Sequence, residues 1–92
     1  MFTLSARLTF YISHASTLKD KRQVCRSLID KTRHKFNAAV AEVDAQDVLQ
    51  TLVVGIAVVS GDGLYRREIV EEIIRFMEAC ANAELTDVEV FE

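Results

Sequence analysis

Hydrophobic and polar residues alternate in the first segment of the chain. In "FTLSARLTFY", residues 2–11, the side chains of Phe2, Leu4, Ala6, Leu8 and Phe10 fall on one side and more polar side chains fall on the other. This period of two is typical of a β-strand with one face on a hydrophobic core. The short segment "ISHAS" then predicts a turn.

A helical pattern follows the turn. Thr17 is a good N-cap and Asp20 stands three residues later, which is the spacing of a capping box. An acidic residue there also suits the positive end of a helix. The residues predicted to face inward are Leu18, Cys25, Leu28, Ile29, Thr32 and Phe36. We expect the helix to end near Phe36, with Asn37 as its stop.

The remaining pattern predicts two strands, a second helix and a last strand. "AAVAEV" indicates a strand with a weak pattern, and "TLVVGIAVVS" indicates a strand that is apolar on both faces. Residues 64–81 predict a helix whose inward positions are Ile69, Val70, Ile73, Phe76, Met77 and Cys80. "ELTDVEVF" predicts the final strand.

The predicted order is β-α-β-β-α-β, which is the α+β ferredoxin-like arrangement in one domain spanning residues 1–92. A four-stranded antiparallel sheet should carry both helices on one face, with strands one and three in the middle. The other face would be bare although strand three is apolar on both sides. Because a large exposed apolar patch is a liability, we expect a homo-oligomer, a dimer or higher, that forms through the sheet.

Composition supports a single small core and no membrane span. The chain has 92 residues, half of them hydrophobic, with three glycines and no proline. Its longest apolar run, Leu52–Val59, is far shorter than the ~20 residues that a spanning helix needs. The first residues lack the charged leader of a signal peptide, and Cys25 and Cys80 match no disulfide or metal motif. These features predict a cytoplasmic protein with buried free thiols.

Charge is distributed unevenly along the chain. The net charge is -3, yet residues 1–36 carry +6 and residues 37–92 carry -9. Projected at 100° per residue, one basic ridge on the first helix lies beside the apolar stripe, and other bases flank the opposite side. The candidate nucleic-acid-binding residues are Lys19, Lys21, Arg22, Arg26 and Arg33, because Lys and Arg neutralise phosphate charge. Two alternatives stay open: a solvated helix that pairs with the protein's own acids, or one that binds an acidic protein.

An acidic turn follows the second strand in "AEVDAQDVLQ". Its polar residues are Glu42, Asp44, Gln46, Asp47 and Gln50. Clustered oxygen ligands can bind a divalent cation, but the same residues can cap a turn or pair with arginines of the first helix. Since the spacing matches no known calcium loop, we assign no metal site.

The sequence offers no set of residues for catalysis and no cofactor motif. His14 and His34 share no ligand spacing with the cysteines. Strand three carries no aromatic residue on which a nucleotide base could stack, unlike an RNA-recognition domain. We therefore expect a protein that is not an enzyme and binds no cofactor.

The segment "TLKDKRQVCRSLIDKTRHKFNAAVAEVDAQDVLQ", with "VGIAVVSGD" after it, resembles the YlxP-like family of small bacterial proteins, a domain of unknown function. The family pattern runs roughly S-L-K-x-K-R, a basic helix, F-N-V-S-V-A-E, an acidic glutamine-bearing turn and G-x-A-V-V-S. The matching residues are Leu18, Lys19, Lys21, Arg22, Glu42, Gln46, Asp47 and Gln50. The chain departs at Ala45, Leu49 and Thr51, where His, Trp and a basic residue are common.

The resemblance implies a ferredoxin-like, self-associating protein. Family members commonly lie in gene clusters with transcription-elongation, translation-initiation and ribosome-binding factors, which implies a role near RNA or the ribosome. The first hypothesis is thus a non-enzymatic RNA- or ribosome-associated accessory factor that uses the basic first helix. The alternatives are a protein-interaction module that forms homo-oligomers through its sheet, and an oligomer that binds a small ligand or divalent metal at the acidic turn.

Overall fold

The computed structural model describes all 92 residues and has the predicted element order. The elements are β1 (Phe2–Tyr11), α1 (Leu18–Lys35), β2 (Ala39–Asp44), β3 (Thr51–Ser60), α2 (Gly63–Cys80) and β4 (Glu84–Phe91). One antiparallel sheet has the strand order β2-β3-β1-β4, so β1 and β3 lie in the middle. The α+β ferredoxin-like prediction is confirmed. Neither helix has the length and apolar composition that crossing a membrane requires.

The core lies between the sheet and the two helices. The alternating residues of β1 are buried on the helix side, where Ala6 pairs with Ile56 of β3 and Leu8 pairs with Val54. The helices add Leu28, Ile73 and Met77, all of them almost fully buried. The period-two and helical patterns thus meet in one apolar layer, which holds the helices on the sheet.

Both helices begin at side-chain caps. Thr17 accepts from the backbone N–H of Asp20, and the Asp20 carboxylate accepts from the N–H of Thr17, so the predicted capping box is present. Asp62 caps α2 by accepting from the N–H groups of Leu64 and Tyr65. These bonds satisfy N–H groups that lack partners within the helix.

The buried face of α1 is rotated from the predicted one. Leu18 was expected to face inward but is 43% exposed, whereas Lys21 and Val24 are buried and were not expected there. Leu18 is the first residue of the helix. The stem of Lys21 occupies the inner face instead, because its ammonium group finds polar partners on β2 and the residue after it.

A bulge shapes the end of β2. Glu42 pairs with Val54 and Asp44 pairs with Val53, so Val43 is an extra residue in the strand. The side chain of Val43 crosses over Gly55 of β3, where an added Cβ would lie 2.8 Å from Cγ1 of Val43. This close approach therefore requires glycine at position 55, because a larger residue would collide with Val43.

The face of the sheet turned away from the helices, called the outer face below, carries no layer of the protein. Strand β3 places Val53, Gly55, Ala57 and Val59 there, between the core-facing residues of the strand. This confirms the prediction that β3 is apolar on both faces. The other outer-face residues are Thr3, Ser5, Arg7, Thr9 and Tyr11 of β1, Ala39, Ala41, Val43 and Asp44 of β2, Thr51 of β3, and Glu84, Asp87, Glu89 and Phe91 of β4.

Candidate nucleic-acid interface

A row of exposed basic side chains runs along α1. The basic ridge consists of Lys19, Arg22, Arg26 and Arg33, and all four residues are exposed. With a rise of 1.5 Å per residue, the Cα atoms of its first and last members lie about 21 Å apart along the axis. The helical pattern places the ridge on the surface, as the sequence predicts.

Two members of the basic ridge contact β2. Nη1 of Arg22 lies 3.7 Å from Oε1 of Glu42, and the Arg22 side chain stays 51% exposed. Nη2 of Arg33 donates a hydrogen bond of 2.6 Å to the carbonyl of Val40. The ridge therefore lies on the side of α1 that faces the β2 edge of the sheet.

The side chains of the other two members, Lys19 and Arg26, make no hydrogen bond or ion pair within the protein. Their charges face solvent. An exposed ammonium or guanidinium group without an internal partner is available to an anionic ligand at a low desolvation cost. These two residues are the bases of the ridge whose side chains have no partner within the protein.

Helix α2 lies on the opposite side of α1 and carries four glutamates and three arginines. The ammonium group of Lys35 lies 4.9 Å from the ring centre of Phe76 on α2, which marks the side where the helices meet. The exposed acids of α2 are Glu68, Glu71, Glu72 and Glu78. No ion pair joins the two helices. The opposite charges of the two halves are paired directly at two places, Glu42 with Lys21 and Arg22, and Glu89 with Arg7.

Lys21 differs from the other predicted candidates because it is inside the protein. Its side chain is 2% exposed, and its Nζ lies 3.3 Å from Oε2 of Glu42 and donates to the carbonyl of Ala45. Lys21, Cys25, Leu28 and Thr32 follow the spacing i, i+4, i+7 and i+11. This spacing could have indicated from the sequence that Lys21 is buried. The charge of lysine favoured an exposed position instead.

The acidic turn contacts the rest of the protein at several points. Glu42 faces α1, and Asp44 accepts from the N–H of Ala45, whose φ of 53° is left-handed. The side-chain amide of Gln50 donates to the carbonyl of Ser13, and the carbonyl of Gln50 accepts from the N–H of Ile12. The turn thereby holds the β1–α1 loop.

The turn does not gather its acids around one point. The side chains of Gln46 and Asp47 are exposed. No three His, Cys, Asp or Glu side chains of the protein lie close enough together to hold a metal ion. The contacts of Glu42, Asp44 and Gln50 match the turn and pairing alternative.

Two ionisable groups near the start of α1 have perturbed pKa values. The N–H and hydroxyl of Ser16 donate to the carboxylate of Asp20, with a further bond from Thr17, and lower its pKa. Burial raises the pKa of the Cys25 thiol, and the nearby negative charge of Glu42 raises it further. Cys25 is buried as predicted, while Cys80 is half-buried, and both are free thiols.

Comparison with known proteins identifies a family. The uncharacterized protein YlxP of Bacillus subtilis (strain 168) is 29% identical over 75 residues, which are 82% of this chain and 82% of that protein. The de novo designed protein Ferredog-Diesel aligns with 99% of this chain and 85% of its own, at a TM-score of 0.50 and 12% identity, which shows the fold alone. The family model described as "Protein of unknown function (DUF503)" matches residues 3–90, so this chain belongs to that family.

Proposed function

We propose that the protein is a non-enzymatic accessory factor that binds RNA through the basic ridge of α1. The observation that carries the proposal is the exposure of Lys19 and Arg26 with no internal partner, in a protein whose net charge is -3. An acidic protein gains nothing in solubility from such a row of bases. A polyanion such as RNA is a ligand that this row of positive charges would bind.

The ridge is suited to contacts with the phosphate backbone. Its length of about 21 Å spans several phosphates, since successive phosphates of one strand lie about 3.4 Å apart along a duplex. The guanidinium groups of Arg22 and Arg26 can each donate two parallel hydrogen bonds to a phosphate. Because the central strands offer no row of stacking aromatics, binding should depend on charge and helix shape more than on base identity.

Lys21 has a supporting role in this proposal. Its ammonium group is enclosed between Glu42 and Ala45, so it is unavailable to a phosphate. It fixes the helix against the end of β2, and the ridge on the outer side of the same helix is held in place. Ribosomal RNA as the ligand is the expectation carried by the family resemblance.

A binding titration tests the proposal. A fluorescently labelled ribosomal RNA fragment is titrated with wild type, with Lys19→Gln/Arg26→Gln, and with Arg67→Gln/Arg75→Gln on α2. The ridge variant should bind about 10- to 100-fold more weakly near 0.1 M salt, because two phosphate contacts are lost. The α2 variant has the same net charge as the ridge variant but should bind like wild type.

Arg22 is left out of the test variant. A change to glutamate there would set a second carboxylate beside Glu42 and alter the fold as well as the ridge. Equal affinity of the ridge variant and wild type would refute the proposal. An equal loss in both variants would show that net charge acts and the ridge does not.

A further inference from the structure

A cavity of about 310 Å³ lies where the end of α1 meets the end of β3 and the first turns of α2. It is called the α1–α2 cavity below. The polar and aromatic residues that line it are Lys35, Phe36, Asn37, Ser60, Tyr65 and Arg66. Its volume is at the lower end of the range of about 300 to 1,000 Å³ that is usual for small-molecule sites.

The charged side chains of the α1–α2 cavity all have the same sign. Lys35 and Arg66 line it, and no aspartate or glutamate does, although the protein has 14 acids and 11 bases. Neither Lys35 nor Arg66 forms an ion pair with any residue of the protein. Two cations without a carboxylate beside them favour an anionic ligand.

The acids of α2 lie outside this cavity. Glu68, Glu71 and Glu72 line a separate depression, together with Arg75, which shares only Tyr65 and Ile69 with the cavity. The carboxylate of Asp62, which precedes α2, accepts from the N–H groups of Leu64 and Tyr65. The positive charge of the cavity is therefore not cancelled from within its walls.

The guanidinium group of Arg66 is held in place by its surroundings. Its Nη1 donates a hydrogen bond of 2.9 Å to the carbonyl of Gly63, and its central carbon lies 5.3 Å from the ring centre of Phe2. An added Cβ at Gly63 would lie 2.8 Å from the same Nη1 and 3.3 Å from Cε1 of Phe2. A charged group that is fixed before the ligand arrives loses little conformational freedom on binding.

Arg66 also has N–H groups left to donate. A guanidinium group carries five, and the bond to Gly63 is the one hydrogen bond that this side chain makes. Its Nε is buried and has no partner. Because a buried donor without an acceptor is costly, ligand oxygens that accept from Arg66 would relieve this cost as well as pair with its charge.

The ammonium group of Lys35 is bordered by aromatic rings. It lies 5.8 Å from the ring centre of Phe36 and 4.9 Å from that of Phe76, and these two rings meet edge to face at 5.4 Å. Lys35 makes no hydrogen bond, so all three of its N–H groups are available to a ligand.

The neutral side chains of the cavity offer further contacts. Ser60 accepts from the N–H of Asp62 and keeps its O–H to donate, and Asn37 adds an amide. Tyr65 is 52% exposed, and Phe36 is half-buried. Aromatic rings of this kind are surfaces on which a nucleotide base can stack.

We propose that the α1–α2 cavity binds one nucleoside monophosphate unit, with its phosphate between Lys35 and Arg66 and its base on the aromatic wall. A phosphomonoester carries a charge of about -1.5 to -2 near pH 7, which suits two cations better than the single charge of a carboxylate. The unit is a free mononucleotide or the 5′ end of an RNA strand. Neither cation belongs to the basic ridge, so this site does not depend on RNA binding by the ridge.

Calorimetric titration with AMP and with adenosine tests the site. Wild type should bind AMP, and it should bind adenosine about 10-fold more weakly or less, because the phosphate contacts are missing. Arg66→Gln and Lys35→Gln should each weaken AMP binding by about 10-fold, whereas Arg75→Gln makes the same charge change outside the cavity and should bind like wild type. Lys19→Gln/Arg26→Gln should also bind AMP like wild type, which separates this site from the ridge. Urea denaturation checks that each variant is folded.

A second titration distinguishes the two sources of the nucleotide. RNA pentanucleotides with a 5′-phosphate or a 5′-hydroxyl are compared in the Lys19→Gln/Arg26→Gln background. A preference for the phosphorylated strand that Arg66→Gln abolishes assigns the cavity to an RNA end, and AMP binding without that preference assigns it to a free nucleotide. The proposal is overturned if AMP does not bind and the pentanucleotides bind equally, if adenosine binds as tightly as AMP, or if Arg66→Gln and Arg75→Gln have the same effect.

Discussion

The ammonium nitrogen of Lys21 lies 3.3 Å from Oε2 of Glu42, and the two side chains are only 2% and 11% exposed. The same nitrogen donates to the carbonyl of Ala45. Since both charged groups are largely shielded from water, their attraction to each other offsets the hydration that they lose. The pair joins the first turn of α1 to the end of β2 and to the acidic turn.

Replacing Lys21 with methionine should therefore destabilise the protein. The change keeps the apolar stem but leaves the Glu42 carboxylate buried with only the more distant Arg22 beside it. We expect a loss of about 3 kcal/mol in the free energy of unfolding, measured by urea denaturation.

A double variant separates pairing from packing. Lys21→Met/Glu42→Leu removes both charges and should recover most of the loss, because no unpaired charge remains. Lys19→Met, two residues away and exposed, should change stability by less than about 0.5 kcal/mol. A Lys21→Met variant as stable as Lys19→Met would contradict the role of the pair.

Gly55→Ala should destabilise the sheet through contact with Val43. The added Cβ would lie 2.8 Å from Cγ1 of Val43, so the valine or the bulge must move. A cost of about 1–3 kcal/mol is expected in chemical denaturation, as for other overpacked sites.

The matched control is Gly61→Ala, where an added Cβ meets nothing within 4 Å. That change should be neutral or stabilising by about 0.5 kcal/mol, because it restricts the unfolded chain. Val43→Ala should rescue Gly55→Ala by making room for the methyl group. If Gly55→Ala/Val43→Ala is no more stable than Gly55→Ala, contact with Val43 does not cause the loss of stability.

Stability should depend on pH through Asp20. The N–H and hydroxyl of Ser16 hold the pKa of this carboxyl below its usual value of 3.8. The folded protein therefore binds this proton less readily than the unfolded chain, so the contribution is complete above about pH 4 and is lost as pH falls through the lower folded pKa. Thermal unfolding of wild type and Asp20→Asn between pH 2 and 6 measures it. The gap between the two should close at low pH, and a constant gap would contradict the assignment.

The two thiols should react at different rates. Burial raises the pKa of Cys25, which lowers its thiolate fraction, and the side chain is also shielded from reagent. At pH 8, a thiol-specific chromogenic reagent should modify Cys80 well before Cys25. The variant Cys80→Ala isolates Cys25 and should react fully only in denaturant. Rapid modification of native Cys80→Ala would place Cys25 nearer the surface than the structure does.

The strands, the helices and the cap of α1 could be predicted from the sequence because each depends on local spacing. Phe2–Tyr11 alternates with period two, and the Thr17 and Asp20 pair marks a helix start regardless of what lies around it. The position of Lys21 could not be predicted in the same way. A charged residue is rarely buried without a partner of opposite charge. The partner of Lys21 is Glu42, which lies further along the chain and is positioned by the pairing of β2 with β3.

The outer face shows the same limit. The apolar character of β3 on both sides is visible in "TLVVGIAVVS". The row of residues that crosses this face from Phe91 to Ala39 is not visible there, because it depends on the register of all four strands. The bulge at Val43 is likewise a product of pairing, although Gly55 hints at a close approach.

The salt dependence of RNA binding is the most direct measure of whether the basic ridge of α1 contacts phosphate. The logarithm of the association constant is measured against the logarithm of salt concentration for wild type, Lys19→Gln/Arg26→Gln and Arg67→Gln/Arg75→Gln. We expect a linear fall for wild type, a slope whose magnitude is smaller by about 1.5 to 2 for the ridge variant, and an unchanged slope for the α2 variant. Binding that does not respond to salt, or slopes that are equal for all three proteins, would contradict it.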